Sequence, residues 1–191
     1  MSSLLSLLSF TTRRQLEALR PRLYRLAYTW CHDGHLADDL VQDALAKALD
    51  RAGQLRDEAA LLPWLFSILN NCWRDHLRGR RDLLDVDDID EAVLAHDASP
   101  ETLYASRQTT LRVRQALAGL PLGQRQVLTL VDLEECAYAE VARILDIPVG
   151  TVMSRLSRAR QALKQRLLAD QVGEAGKMDQ PTGRPALRRV K

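Results

Sequence analysis

Cysteine, glycine, proline and aromatic residues are all scarce in this chain of 191 residues, which holds three Cys, nine Gly, seven Pro and 5% aromatics. Cys31, Cys72 and Cys136 lie far apart with no Cys-x-x-Cys pair, so a disulfide framework is not expected and a reducing cytoplasm is the natural setting. Few turn-formers and no β-branched runs point away from strands and towards an all-α protein. No apolar run approaches the ~20 residues of a membrane helix. The apolar start, MSSLLSLLSF, is too short to span and lacks the basic leader of a secretory signal, so no direct membrane insertion is expected. Charge of one sign is also missing: 27 Lys and Arg face 25 Asp and Glu, a net of +2. Affinity for nucleic acid must then come from segregated charge rather than from the total. No nucleophile, phosphate loop or convergent base is present, which argues against catalysis and any cofactor.

The charge is indeed segregated. Residues 138–168 read as two short helices joined by a tight turn. Tyr138, Val141, Ala142 and Leu145 recur at three- and four-residue steps, Asp146-Ile147 breaks the pattern, and Pro148 suits the start of a second helix. In that helix Val152, Leu156, Ala159, Leu163 and Leu167 form a narrow apolar seam. Ser154, Ser157, Arg158 and Gln161 fall opposite it, flanked by Thr151 and Arg155. No acidic residue lies between Asp146 and Asp170, whereas Arg155, Arg158, Arg160, Lys164 and Arg166 all do. A solvated helix surface is the plainer explanation; one-signed charge beside small polar side chains favours a helix that enters a major groove.

The remaining elements follow in order. A first helix runs from about Arg13 to Trp30, with Leu16, Leu19, Leu23, Leu26 and Trp30 on one side. After the Asp33-Gly34 turn, where Asp33 or His35 can cap, Leu36, Leu40, Ala44, Leu45, Ala48 and Leu49 form the stripe of a second helix. Asp38, Asp39, Gln42 and Asp43 lie off that stripe. This acidic face reads as solvated surface, as a magnesium site, or as a docking face for a basic partner; no second acidic motif supports the magnesium reading. Cys31, His32 and His35 lack a fourth ligand at zinc spacing. A loop, GQLRDEAALLP, precedes a third helix, Trp64 to Arg81, whose inner face is Leu61, Leu65, Ile68, Leu69 and Cys72. Asn71, Trp73, Arg74, Asp75, Arg78 and Arg81 fall on other faces, and the arginines are spaced to track a phosphate backbone. Trp64 and Trp73 read either as core or as support for an unstacked base.

Composition shifts between Asp82 and Glu101, where eight acidic residues occur without a Lys or Arg. The stretch 82–100 reads as an acidic, flexible linker between a domain at 13–81 and another at 101–169. Residues 1–12 and 170–191 read as tails, the latter disordered.

Two small helical domains in this order resemble the bacterial sigma factors of the sigma-seventy superfamily, in their short extracytoplasmic-function class. LADDLVQDALAKAL resembles the part of region two that docks on core RNA polymerase. PWLFSILNNCWRDHLRGRR resembles the part that captures and melts the minus-ten promoter element. The span from Ala116 to Leu163 resembles region four, which reads the minus-thirty-five element. The resemblance implies core-polymerase contacts at Asp39, Gln42 and Asp43, and a flipped minus-ten base held at Asn71, with Arg74, Arg78 and Arg81 alongside. It implies minus-thirty-five contacts at Met153, Ser154, Ser157 and Arg158, with Thr151 and Arg155 at their edges. Met153 stands where a cation is frequent and suits a thymine methyl instead. Promoter DNA, core polymerase and an anti-sigma factor are the implied partners, and the acidic linker would follow the polymerase's basic channel. The competing readings are a stand-alone helix-turn-helix regulator, needing a dimer interface and palindromic duplex, and a Mg-dependent enzyme using Asp38, Asp39 and Asp43.

Overall fold

The apolar stripes become helices that bury them. A computed structural model describes the backbone of residues 2–55, 57, 60–83 and 106–178, and the side chains of residues 13–53, 55, 57, 60–80 and 111–168. Three helices form the first half: α1 (Ser2–Cys31), α2 (Gly34–Asp50) and α3 (Leu61–Leu83). Leu23, Leu26 and Trp30 of α1 meet Val41 and Ala44 of α2 and Leu65, Phe66 and Leu69 of α3, all buried. The second half holds α4 (Ser106–Ala118), α5 (Leu122–Leu128), a π-helical stretch at Thr129–Leu133, α6 (Tyr138–Leu145) and α7 (Val149–Met178). Val127, Leu130, Val141, Val152 and Ala159 are its fully buried members. No strand occurs among the described residues, in agreement with the all-α reading.

Local chemistry explains the joints. The Asp33 side chain accepts hydrogen bonds from the N–H groups of His35 (2.9 Å) and Leu36 (3.1 Å), capping α2. Between α4 and α5, Gly119-Leu120-Pro121 ends one helix, and the Pro121 carbonyl starts the next by accepting from Arg125.

Several boundaries and faces differ from the sequence reading. Helix α1 starts at Ser2, not near Arg13, since nothing in MSSLLSLLSF breaks a helix. Helix α3 continues to Leu83, past the expected start of the linker, and α7 continues to Met178, into the expected tail. Leu49 is exposed, while Ala37 and Val41 are fully buried, so the α2 stripe is rotated towards its small residues. Trp73 is core rather than outward-facing, because α3 is covered on two sides, by α2 and by α6. The acidic linker from residue 84 and the tail from residue 179 lie outside the described residues.

The two halves touch along α1 with α4 and α5, and along α3 with α6, and polar groups dominate the specific contacts. Arg125, only 4% exposed, donates from Nη2 to the Trp30 carbonyl (3.0 Å) and from Nη1 to the Ala118 carbonyl (2.9 Å), with His32 Nε2 2.6 Å from Nη1. Trp30 Nε1 donates to Thr129 Oγ1 (3.0 Å). Asn70 Nδ2 donates to the Ile144 carbonyl (3.0 Å), and Gln126 Nε2 donates to Asn70 Oδ1 (3.2 Å). Arg22 Nε pairs with the Glu134 carboxylate nearer the surface.

His32 caps α1 in the left-handed region (φ 54). Burial, then the Arg125 charge, pushes its imidazole from 6.5 down to about 4. A folded pKa below the unfolded one means that the unfolded chain binds more protons between these values. Stability from this group is therefore complete above pH 6.5 and is lost as pH falls towards 4. His32→Asn suits the positive φ and removes the titration. Denaturant unfolding of this variant should lose much of the stability drop between pH 6.5 and 4; an unchanged pH profile would refute the assignment.

Candidate nucleic-acid interface

The helix-turn-helix is set by backbone chemistry. The Glu140 carboxylate reaches back to the Ala137 N–H (2.9 Å), satisfying a free donor at the start of α6. Asp146 closes α6 in the left-handed conformation (φ 56, ψ 52), which Asp tolerates better than most residues. The Ile147 N–H then returns to the Ala142 carbonyl (3.0 Å). The Pro148 carbonyl accepts from Thr151 (2.9 Å) and Val152 (3.1 Å), opening α7. The turn is thus three residues, 146–148, one longer than the Asp146-Ile147 break expected, with Pro148 standing just before α7 rather than inside its first turn. Tyr138 is the departure: expected in the buried stripe, it is 38% exposed at the first position of α6.

The basic side chains of α7 divide into two sets. Arg160 holds Asp132 with both nitrogens (3.1 and 2.5 Å), which raises its own pKa further. Arg166 Nη2 donates to the Gly119 carbonyl (2.6 Å). Arg155 is half-buried across Gly123, where a Cβ would sit 2.7 Å from its Nη1. These three tie α7 to its own domain. Met153 (54% exposed), Ser157 and Arg158 face solvent in one patch, beside a cavity of about 290 Å³ lined by Tyr138, Met153, Leu156, Ser157 and Arg160. Thr151 and Ser154 are half-buried, and Ser154 Oγ donates to the Thr151 carbonyl (3.1 Å). Of the six α7 residues singled out, then, three are presented freely and three stand at the edge.

On the first domain, Asn71, Arg74 and Arg78 come together around a cavity of about 270 Å³, completed by Lys47, Arg51, Ile68 and Asp75. Arg78 pairs with Asp75 (3.2 Å) and Lys47 approaches the same carboxylate (3.7 Å). Arg74 lies 3.6 Å from Asp146 of the helix-turn-helix. The side chain of Arg81 lies outside the described residues. Four cations against one acid give the cavity a positive rim suited to phosphate. Lys47 and Arg51 were not foreseen: they come from the far end of α2, and only its packing on α3 brings them beside Asn71. Asn70 was missed too, being a buried polar residue inside an apolar run.

Asp39, Gln42 and Asp43 are exposed on α2, as expected. Their neighbour Asp38 is met by Arg20 of α1 (3.2 Å). Cys31, Cys72 and Cys136 are buried free thiols, and burial raises the pKa of each. His35 is exposed. Among the described residues no group of three His, Cys, Asp or Glu is placed to hold a metal.

Comparison with known proteins adds to this geometry. Residues 16–82 match the family Sigma-70 region 2, and residues 110–163 match Sigma-70, region 4. The RNA polymerase sigma-H factor of Pseudomonas aeruginosa is 33% identical over 161 residues, covering 76% of this chain and 80% of its own. The ECF RNA polymerase sigma-E factor of Escherichia coli K12 is 33% identical over 138 residues, 68% of this chain and 72% of its own. The ECF RNA polymerase sigma factor SigM of Mycobacterium tuberculosis is 35% identical over 153 residues, 76% and 71% of the two chains. The sigma factor RpoE solved with the anti-sigma factor NepR from Bartonella quintana superposes with a TM-score of 0.64 at 28% identity, over 84% of this chain and 98% of that one. CnrH, solved with the cytosolic domain of CnrY, superposes at 0.58 with 26% identity, over 86% and 97%.

The burial of Trp73 at 1% exposure makes a testable distinction. Trp73→Ala should cost about 3–5 kcal/mol through the cavity it leaves, read as a lower urea midpoint. A variant that kept full stability but lost nucleic-acid binding would restore the base-supporting role.

Proposed function

The chain belongs to the sigma-70 family, in its extracytoplasmic-function class of RNA polymerase sigma factors, and from this we propose the residues through which it starts transcription. The family consists of transcription initiation factors, so positioning rather than catalysis is the task. The observation that carries the proposal is the presence, in order on one chain, of regions two and four, each of which carries an exposed polar patch. The acidic face Asp39, Gln42 and Asp43 docks on core polymerase. Met153, Ser157 and Arg158 reach base edges of the minus-thirty-five duplex, with Thr151, Ser154 and Arg155 supporting at the margin. Asn71 holds an unstacked minus-ten base while Arg74, Arg78 and Arg81 meet its phosphates.

Physical chemistry supports this division of labour. The cavity beside Asn71, about 270 Å³, is smaller than the ~300–1,000 Å³ clefts that take whole small molecules, and suits a single base. A single helix-turn-helix buries too little surface for tight specific binding alone. On polymerase, two weak contacts act at high effective concentration. Capture of a flipped base then offsets a few kcal/mol of unstacking. RpoE was solved with an anti-sigma factor, and we place this chain under the same kind of control. None of the described helices is long and apolar enough to cross a membrane, which suits a site of action in the cytoplasm beside polymerase and DNA.

Run-off transcription with bacterial core polymerase over a set of promoter fragments tests the assignment. Start sites should appear only when both proteins are present. Ser157→Ala with Arg158→Ala should lower promoter-specific transcripts by about 10- to 100-fold, in line with ~1–3 kcal/mol for a good base contact. Asp39→Ala with Asp43→Ala should instead raise the factor concentration needed for half-maximal output. Tight binding to palindromic duplex by the chain alone, with no transcripts, would replace this reading with a stand-alone regulator.

A further inference from the structure

A cavity of about 790 Å³ lies between α1, α4 and the π-helical stretch, and none of the residues assigned to DNA or polymerase lines it. Its volume falls in the ~300–1,000 Å³ range of clefts that hold whole small molecules. One wall is a ladder of rings. Tyr24, Tyr28 and His32 follow at four-residue steps on α1 and so share a face. The tyrosine rings stack with centroids 6.2 Å apart and planes at 21°, and His32 meets Tyr28 edge-on at 6.3 Å. Gly34 makes room for the first ring: a Cβ there would meet the Tyr24 hydroxyl at 3.3 Å. The other wall is aliphatic, with Val113 and Leu117 from α4 and Leu133, which is 60% exposed, from the π-helical stretch.

The charge of the cleft is one-sided. Arg22 and Arg25 come from α1 and Arg114 from α4, against the single carboxylate of Glu134. Arg22 and Glu134 pair with each other. Arg25 and Arg114 are exposed and have no ion pair among the described residues, which leaves one uncompensated cation on each helix. We propose that this cleft binds a small aromatic anion, its ring between the Tyr24–Tyr28 ladder and the Val113–Leu117 wall and its charge at Arg25 and Arg114. Stacked rings beside an aliphatic face suit a flat body, since aromatic pairs gain from offset-stacked and edge-on contacts. Guanidinium groups suit an oxyanion, which they meet with two parallel N–H donors.

The remaining polar groups narrow the class further. The Thr29 hydroxyl donates to the Arg25 carbonyl (2.8 Å). Thr129 Oγ1 donates within its own helix and accepts from Trp30 Nε1. Both hydroxyls are thus already bonded, so a sugar-like neutral ligand gains little from them. A cationic ligand finds the Glu134 carboxylate already taken by Arg22. Recognition therefore falls to the rings and the two unmatched arginines. A ligand held by α1 and α4 together binds the folded chain and not the unfolded one, so it raises thermal stability by mass action. The site stands apart from the sigma-factor assignment, because it shares no residue with it.

Calorimetric titration of the full chain with naphthyl phosphate tests the site. One molecule per chain should bind, with a Kd at or below about 1 mM for a probe of this size. The thermal midpoint should rise by about 3–6 °C at a tenfold excess over that Kd. Naphthol has the ring without the charge and octyl phosphate the charge without the ring; each should bind at least about tenfold more weakly. Arg25→Gln and Arg114→Gln alter exposed positions, so circular dichroism should stay unchanged while each weakens naphthyl phosphate by about five- to tenfold. Tyr28→Leu keeps an apolar contact and removes a ring, and should abolish the preference for naphthyl over octyl phosphate. Absence of saturable binding overturns the site, and so does unchanged affinity in both arginine variants. Naphthol binding as tightly as naphthyl phosphate overturns the anion, and octyl phosphate doing so overturns the aromatic body. Neither polymerase nor DNA is present, so a failure of the sigma assignment leaves these results intact.

Discussion

The burial of one guanidinium organises the described fold. Arg125 sits midway along α5, in a chain segment that also supplies Gln126 and Thr129 to the same contact. Its charge is desolvated enough to push its pKa down to about 10, and His32 beside it is held neutral. A buried guanidinium normally takes a carboxylate; this one takes two carbonyls and an imidazole. Such a contact is directional, because each acceptor must be in place, but it carries a standing desolvation cost. Direction comes from the hydrogen bonds and looseness from the unpaired charge. The same atoms thus fix how the halves meet and limit how strongly they do so.

Helix α7 shows a second economy of side chains. Counting its basic residues as DNA contacts would overstate its reach, because Arg155, Arg160 and Arg166 brace the helix against α5, the π-helical stretch and the α4–α5 turn. Exposed ion pairs add little stability by themselves, about 0–1 kcal/mol. Their value here is orientation: Arg160 fixes the rotation of α7, and with it the direction in which Met153, Ser157 and Arg158 point. A reading helix needs that rigidity, since a base contact depends on the helix holding its angle to the groove.

What could be read from the sequence was what depends on near neighbours. The stripes of α1 and α7, the Asp33 cap, the break after Leu145 and the exposed face of Asp39, Gln42 and Asp43 all follow from spacings of a turn or two. What could not be read depends on partners far along the chain. Trp30 meets Thr129, Arg22 meets Glu134 and Asn70 meets Ile144 across separations of 99, 112 and 74 residues. Periodicity carries no information about such pairs. Trp73 illustrates the limit: its position on the helical wheel is lateral, and it is buried because other helices pack around α3. Lys47 and Arg51 illustrate the converse, ordinary surface cations until α2 sets them beside Asn71.

The division between near and far contacts also separates folding from function. Buried apolar residues of α1–α3 and of α4–α7 belong to one cluster, and the polar contacts of Arg125, Asn70 and Gln126 join the halves beside it. The helices share that cluster, so stability belongs to the described fold as a whole. The contacts of Arg155, Arg160 and Arg166 all lie within the second half, so the aim of α7 is set there and not by the polar contacts that join the halves.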